Sequence, residues 1–436
     1  LDLAALTPLV PALDGRAVSG SVDGALHLHG PLTPATPPAI DGSLRLANVG
    51  VGDPQFPTRV EGLSGVIALV DGNAELRDAT ARLGAAPLTL SCHAIVRGEP
   101  WLRCEVAAAS LTPADLGVAG RPGDALRGLI VNAEVKPLDV PPLVHASLRA
   151  ADGQAAGAPF RALEVDLVGG AETVTITHLA AHAFDGAVGG KAACRVGDRQ
   201  PIACNLDLTV AAIQLTQLLA SQHSPAAATV AGRTTGEAHV SSSGVGSEAL
   251  LDNLRGTVRG TVTDGVLKHV NFAQQIVGAL PGVGALVSGP RAHALLDSSE
   301  TRFDAATATL QIAARRVSTD DAQVRAADFS ASLKGSSTFA GQLSGRGSFT
   351  LSPALARELV QHVPILDHLS DDTGITLPFT LSGNLDSPRV RPDADALPKA
   401  LQRSLSGGVE ALIHSPDAAA RAREEIKRAL NRLLMR

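Results

Sequence analysis

Aromatic side chains are nearly missing from this chain of 436 residues: they make up 2%, with no tyrosine and a single tryptophan, Trp101. A compact catalytic core of this length leans on large rings. Thin, repetitive β packing does not. Long hydrophobic runs are also missing, since no segment reaches the ~18 consecutive apolar residues that a spanning helix needs. The chain starts at Leu1 with neither methionine nor a signal-like segment, which reads as a fragment or a processed form. Charge of one sign is scarce too: 37 basic against 43 acidic residues give a net charge of −6 without long blocks. Basic patches interleaved with aromatics are absent, so nucleic acid is not an expected partner.

Catalytic signatures are lacking as well. His178 and His182 in THLAAH have helical ligand spacing but no HExxH glutamate. His27 and His29 lie two apart on a strand without a third ligand in view, and solvated strand positions account for them. Gly282, Gly284 and Gly289 match neither GxGxxG nor a P-loop, and a flexible hinge is the expected role. Asp320/Asp321 and Asp371/Asp372 sit in turn-like stretches with Ser and Thr, and nothing resembles GxSxG. The chain reads as a non-enzyme with no cofactor and no metal.

What is there is alternation. From Thr301 to Asp393, apolar residues recur at every second position, as in Leu310/Ile312, Phe329/Ala331/Leu333, Phe349/Leu351 and Leu377/Phe379/Leu381. Runs end at Gly, Asp or Pro, as in Lys334-Gly335 and Ser387-Pro388, which predicts short strands joined by frequent turns. The same pattern fills the first half, where Leu26/Leu28, Leu44/Leu46, Leu76, Leu88/Leu90 and Leu102/Val106 share one phase. His27, Arg45, Arg77, Thr89 and Arg103 share the other. DG, GG and GD punctuation suggests divergent copies of a strand–turn unit, interrupted at residues 115–124 by a linker or long turn. Short helices are expected at Ile213–Gln222, at SEALLDNL with Ser247 as its cap, at VNFAQQIVGAL and at ALARELVQHV. A basic amphipathic helix is expected after Pro416, with Ala419, Ala422, Ile426, Leu430 and Leu433 in one stripe.

The four cysteines are placed symmetrically: Cys92 and Cys104 about Gly98, Cys194 and Cys204 about Arg199. If each segment is a hairpin, both pairs fall directly opposite, close enough for disulfides and so for an oxidising compartment. Buried free thiols are the alternative, and zinc lacks the CxxC spacing.

The order TRFD, ATATLQIA, RRVSTDDAQVRAADFSASLKG, then GQLSGRGSFTLSP and LPFTLSGNLDSPRVRPD, resembles the C-terminal region of the AsmA-like family of Gram-negative envelope proteins. LRGTVRGTVTDGVLKHVNFAQQIVGAL upstream is similar to the family's preceding segment, so the resemblance covers residues 231–393. Its motifs are loose patterns of strand and turn and carry no catalytic residues. It implies a periplasmic, bridge-like β-groove protein that moves phospholipid acyl chains between inner and outer membranes and supports envelope integrity. It also implies an inner-membrane anchor upstream of this chain and envelope protein partners. The expected fold is mainly β: an elongated, curved, taco-like antiparallel sheet with a few short peripheral helices and a C-terminal helix. Three parts are expected: a β-groove segment over 1–225, an AsmA-like β region over 226–395, and a helical tail over 396–436.

A one-sided apolar sheet must bury that side, either on another sheet or on lipid tails. In the lipid reading the lining is Leu26, Leu28, Leu44, Leu46, Leu88 and Leu90, then Leu163, Val165, Leu167, Val174, Ile176, Leu206 and Leu208. It continues with Leu310, Ile312, Leu377, Phe379 and Leu381. The alternative is a non-catalytic scaffold or chaperone-like factor in outer-membrane protein assembly, binding through strand edges. A carbohydrate enzyme on a β scaffold is disfavoured by the scarcity of aromatics.

Overall fold

The computed structural model describes residues 2–3, 17–30, 39–52, 57–95, 101–136, 143–170, 172–195, 201–278, 289–361, 370–371 and 374–396. The helix expected after Pro416, Gly282, Gly284 and Asp372 lie outside them. The fold is mainly β, antiparallel and open, with few short helices. It divides into two compact units: unit 1 comprises Leu1–Ser224 with Thr234–Gly256, and unit 2 comprises Pro225–Arg233 with Thr257–Arg436.

Unit 1 opens with β1 (Ala17–His29), β2 (Ala39–Gly52), β3 (Val60–Val70), β4 (Asn73–Leu83), β5 (Ala86–Ile95) and β6 (Trp101–Leu111). It continues through β7 (Ala125–Val135), β8 (Val144–Ala155), β9 (Ala158–Gly169), β10 (Thr173–Ala183), β11 (Gly186–Arg195) and β12 (Ile202–Gln214). Each of these strands pairs antiparallel with the next, so the sheet is a meander whose order in space is its order in sequence. β13 (Val230–Gly244) and β14 (Arg255–Lys268) lie where the two units divide.

Bulges interrupt the ladder and bend the strands. Asn48, Asp78 and Ala212 adopt positive φ of 52°, 47° and 54°. Their N–H groups donate to hydroxyls on the neighbouring strand: Asn48 to Ser64 at 3.1 Å, Asp78 to Ser91 at 3.2 Å and Ala212 to Thr235 at 3.0 Å. An extra residue thus enters each strand without orphaning its backbone donor. The register shift recurs at matching places, between Leu76 and Ala79 in β4 and between Ile176 and Leu179 in β10. In these two hairpins a bulged strand leads through a tight turn to a plain one.

Helix ends follow local chemistry, with two departures from expectation. α1 is only Leu215–Ser221, because Ile213 stays in β12 and is buried there. α2 starts at Gly246 and ends at Asp252, so the cap position falls on Val245, which offers no side-chain acceptor, and Ser247 lies inside the helix.

In unit 2, β15 (Glu300–Ala313), β16 (Arg316–Arg325), β17 (Phe329–Thr338) and β18 (Gln342–Leu351) pair in turn. β18 then pairs with β20 (Gly374–Asn384), which takes β21 (Ser387–Pro392) along its other edge and the two-residue β19 (Ser370–Asp371) beside Gly374 and Ile375. β16 repeats the bulge, between Thr319 and Ala322. Three helices join this sheet: α3 (Phe272–Val277), capped by the Asn271 side chain, α4 (Pro290–Leu296), and α5 (Pro353–Val360), capped by Ser352 with proline in its first turn. Three of the nine phenylalanines lie where glycine leaves room: Phe160 over Gly153, Phe303 over Gly265 and Phe379 over Gly347.

Candidate functional site: the apolar face of unit 1

The pairing register of unit 1 places apolar residues in rows that run from strand to strand. In one row Leu44 faces Ile67, Ile67 faces Leu76, Leu76 faces Cys92, and Cys92 faces Cys104. It continues through Ala133, Ala146, Leu167, Ile176 and Ala192 to Leu206. A second row starts at Leu26 and passes Leu69, Leu102, Val135 and Val144 to Val174 and the Cys194–Cys204 pair. A third holds Leu46, Leu90, Val106, Val131, Leu148, Val165, Leu179 and Leu208. No position in these rows carries a charge.

The reverse face is the opposite in character. Arg103 pairs with Glu134 at 2.9 Å, Arg127 with Asp152 at 2.8 Å and Arg149 with Glu164 at 3.9 Å, each across neighbouring strands. These exposed pairs mark a solvated side more than they stabilise it. The Arg103 guanidinium holds the Glu134 carboxyl below its usual value.

Both cysteine pairs are disulfides, Cys92–Cys104 and Cys194–Cys204, and both sit within the apolar rows. Each clamps one hairpin near its turn. At the other ends of the strands, Thr112–Asp124 forms a braced loop between β6 and β7. Asp115 is buried and accepts from the Thr112 hydroxyl at 2.6 Å, the Thr112 N–H at 2.9 Å and the Ala85 N–H at 2.9 Å. Asp124 accepts from the Gly157 N–H at 3.0 Å and the Arg121 N–H at 2.9 Å. The loop thereby pins the turns on either side of it. Those donors hold both carboxyls below the ordinary carboxylate range, the Thr112 hydroxyl leading for Asp115 and the Gly157 amide for Asp124.

Exposure on the apolar face is graded along the strands. On the side of the sheet where the disulfide-clamped turns lie, Leu28 and Leu26 of the first strand, β1, are 59% and 42% exposed and Val174 is 39% exposed, while Leu69, Leu102, Val135 and Val144 are half-buried. Near the braced loop, Leu88, Leu111 and Leu129 are buried, as are Ala81, Ala108, Ala150 and Ile213. The cluster there is built from strand residues, with Leu63, Leu83, Leu90, Leu126 and Leu148 packed against it. Leu44, Leu46, Leu163, Val165, Leu167, Ile176, Leu206 and Leu208 lie between, half-buried.

Unit 2 treats its apolar face differently. Leu377 and Phe379 are buried with Phe329, Phe349, Leu351 and Ile375 beneath Ile276, Val277, Leu355 and Leu359 of α3 and α5. Leu381 packs against the same cluster, so these three expected lining positions meet the protein's own helices. The helices are fixed in place: Asn271 Nδ2 donates to the carbonyls of Leu295 at 2.8 Å, Leu296 at 3.1 Å and Ser298 at 2.8 Å, and the Val390 N–H donates to Gln275 at 3.0 Å. Leu310 and Ile312 stay half-buried away from that cluster.

The other singled-out residues do not converge. His27, His178 and His182 are exposed, and His29 lies 3.3 Å from Asp41 on the surface. Asp321 accepts from the Thr309 N–H at 2.8 Å, a bulge contact that lowers its pKa, while Asp320 is exposed beside it. Gly289 abuts Glu358 at the start of α4. Among the described residues no three His, Cys, Asp or Glu side chains are grouped to hold a metal, and no helix is long and apolar enough to cross a membrane. Sequence reading missed Val131, Val135, Val144 and Leu148 as members of the rows; extending the two-residue phase through β7 and β8 would have found them. The chain matches no protein-family model, no curated protein and no solved structure.

Proposed function

We propose that this protein is a non-catalytic lipid carrier whose unit 1 holds phospholipid acyl chains on its apolar face. The observation that carries this reading is the set of uncharged rows from β1 to β12, left partly exposed at one margin while the reverse face is ionic. Each methylene moved from water onto such a face contributes about 0.8 kcal/mol, so a tail needs no specific side chain to be held. Headgroups face solvent. Two disulfides suit an oxidising compartment. The resemblance of residues 231–393 to the AsmA-like C-terminal region points the same way, to the periplasm between inner and outer membranes and to envelope maintenance.

Lipid extraction and mass spectrometry on the purified chain test the reading. Reproducible co-purified phospholipid is expected, and it should fall when Leu26 and Val174 are both changed to Asp. Protein that remains lipid-free after incubation with phospholipid vesicles would remove the carrier reading and leave a scaffold that binds partners through its strand edges.

A further inference from the structure

We infer that the acyl chains lie parallel to the strands of unit 1, side by side, with their methyl ends at the braced-loop margin and their glycerol ends at the disulfide-clamped margin. The inference rests on the carrier reading and adds a direction to it. The gradient of exposure is its first support: Leu26 and Val174 stand open to solvent, whereas Leu88, Leu111 and Leu129 are closed off. An amphiphile keeps its polar end where water reaches and its terminal methyl where water does not.

The dimensions agree. From Leu102, half-buried in the row that holds Leu26, to the buried Ala108 is about 20 Å at the rise of a strand. One leaflet's acyl chain occupies about 15 Å of a bilayer core. Across the strands, the rows from β1 to β12 extend about 50 Å by interstrand spacing, far longer than one chain and enough for several abreast.

Charge selects the occupant. The rows offer no ionic partner, so they are complementary to hydrocarbon and not to an acidic or basic peptide. A second copy of the chain is the competing occupant, because about 800 Å² per partner suffices for a stable interface. A flat sheet from another copy would, however, cover both margins alike and leave the gradient unexplained.

The test uses the unmodified chain. Phosphatidylcholine vesicles carry a photoreactive diazirine either beside the ester or at the methyl terminus of one chain, and cross-linked peptides are mapped by mass spectrometry. The terminal probe is expected to label peptides spanning 83–88 and 111–129 several-fold more than the ester-proximal probe does. The reverse preference is expected for peptides containing Leu26, Leu102 and Val174. Equal or inverted labelling would overturn the orientation while leaving lipid binding intact. No labelling by either probe would overturn both, and a dimer by light scattering that excludes the probes would assign the face to a second copy.

Discussion

Leu377 in unit 2 and Leu206 in unit 1 occupy the same kind of place, an alternating position on the apolar side of an antiparallel strand, yet one is 1% exposed and the other only half-buried. Unit 2 lays α3 and α5 across its sheet, and the stacked rings of Phe329 and Phe349, 5.0 Å apart, fill the space beneath. In unit 1 the buried cluster is made of strand residues alone and stops short of the disulfide-clamped margin. The same local pattern thus produces a finished core in one unit and an unfinished one in the other. A face that is filled stabilises the fold, whereas a face left open is available to something else.

The largest effect expected from breaking this contrast is in the filled face. Leu355→Ala or Leu377→Ala should destabilise unit 2 by about 2–5 kcal/mol, since each leaves a cavity the helices cannot close. Leu206→Ala should cost well under the lower limit of that range. Guanidinium midpoints of the three variants check it; equal losses would mean that unit 1 is as tightly packed as unit 2.

Next come the disulfides, which belong to unit 1 alone. Replacing Cys92 and Cys104 together with alanine should remove about 3 kcal/mol, and likewise Cys194 with Cys204, by releasing a short closed loop in the unfolded chain. Melting of unit 1 with and without reductant reads this, and an unchanged midpoint would show that pairing alone sets the hairpins.

Acid should separate the units more gently. Asp115 and Asp124 brace unit 1 with carboxyls held below their ordinary value. Their contribution is therefore complete above the ordinary carboxylate range, near pH ~4, and is lost as pH falls through it toward the lowered folded value. Among the described residues unit 2 has one such carboxyl, Asp321 on an exposed bulge, whereas its helices are fixed by Asn271 and Thr301, which do not titrate. Unit 1 should weaken first below that range, and Asp115→Asn should flatten its acid slope; parallel acid melts of both units would contradict this.

The smallest effect on stability should come at the open margin. Leu26→Ser and Val174→Ser should each change stability by no more than about 0.5 kcal/mol while reducing bound phospholipid several-fold. A large loss of stability there would show that those side chains are already buried in solution.

Much of this was legible in the residues. The two-residue phase of Leu44/Leu46 and Leu88/Leu90 predicts strands with one apolar side, and the symmetric cysteines predict which residues face each other. Asn271, which the pattern VNFAQQIVGAL places inside a helix, caps it instead, and Ser352 caps α5. Runs without alternation were not legible: in Leu129-Ile130-Val131 only the pairing decides that Ile130 turns outward, 42% exposed, while Leu129 is buried. Ser247 failed as a cap because the helix starts one residue ahead of it, and Ile213 joined β12 because the strand is continued through the Ala212 bulge.

By itself the sequence determined that the chain forms antiparallel strands, which side of most of them is apolar, and where hairpins bring cysteines together, because each of these follows from contacts between near neighbours. Only the tertiary structure decided which apolar side is roofed and which is left open. Alternation specifies a surface that avoids water; whether a helix from elsewhere in the chain reaches it depends on packing between distant segments, and no local pattern encodes that.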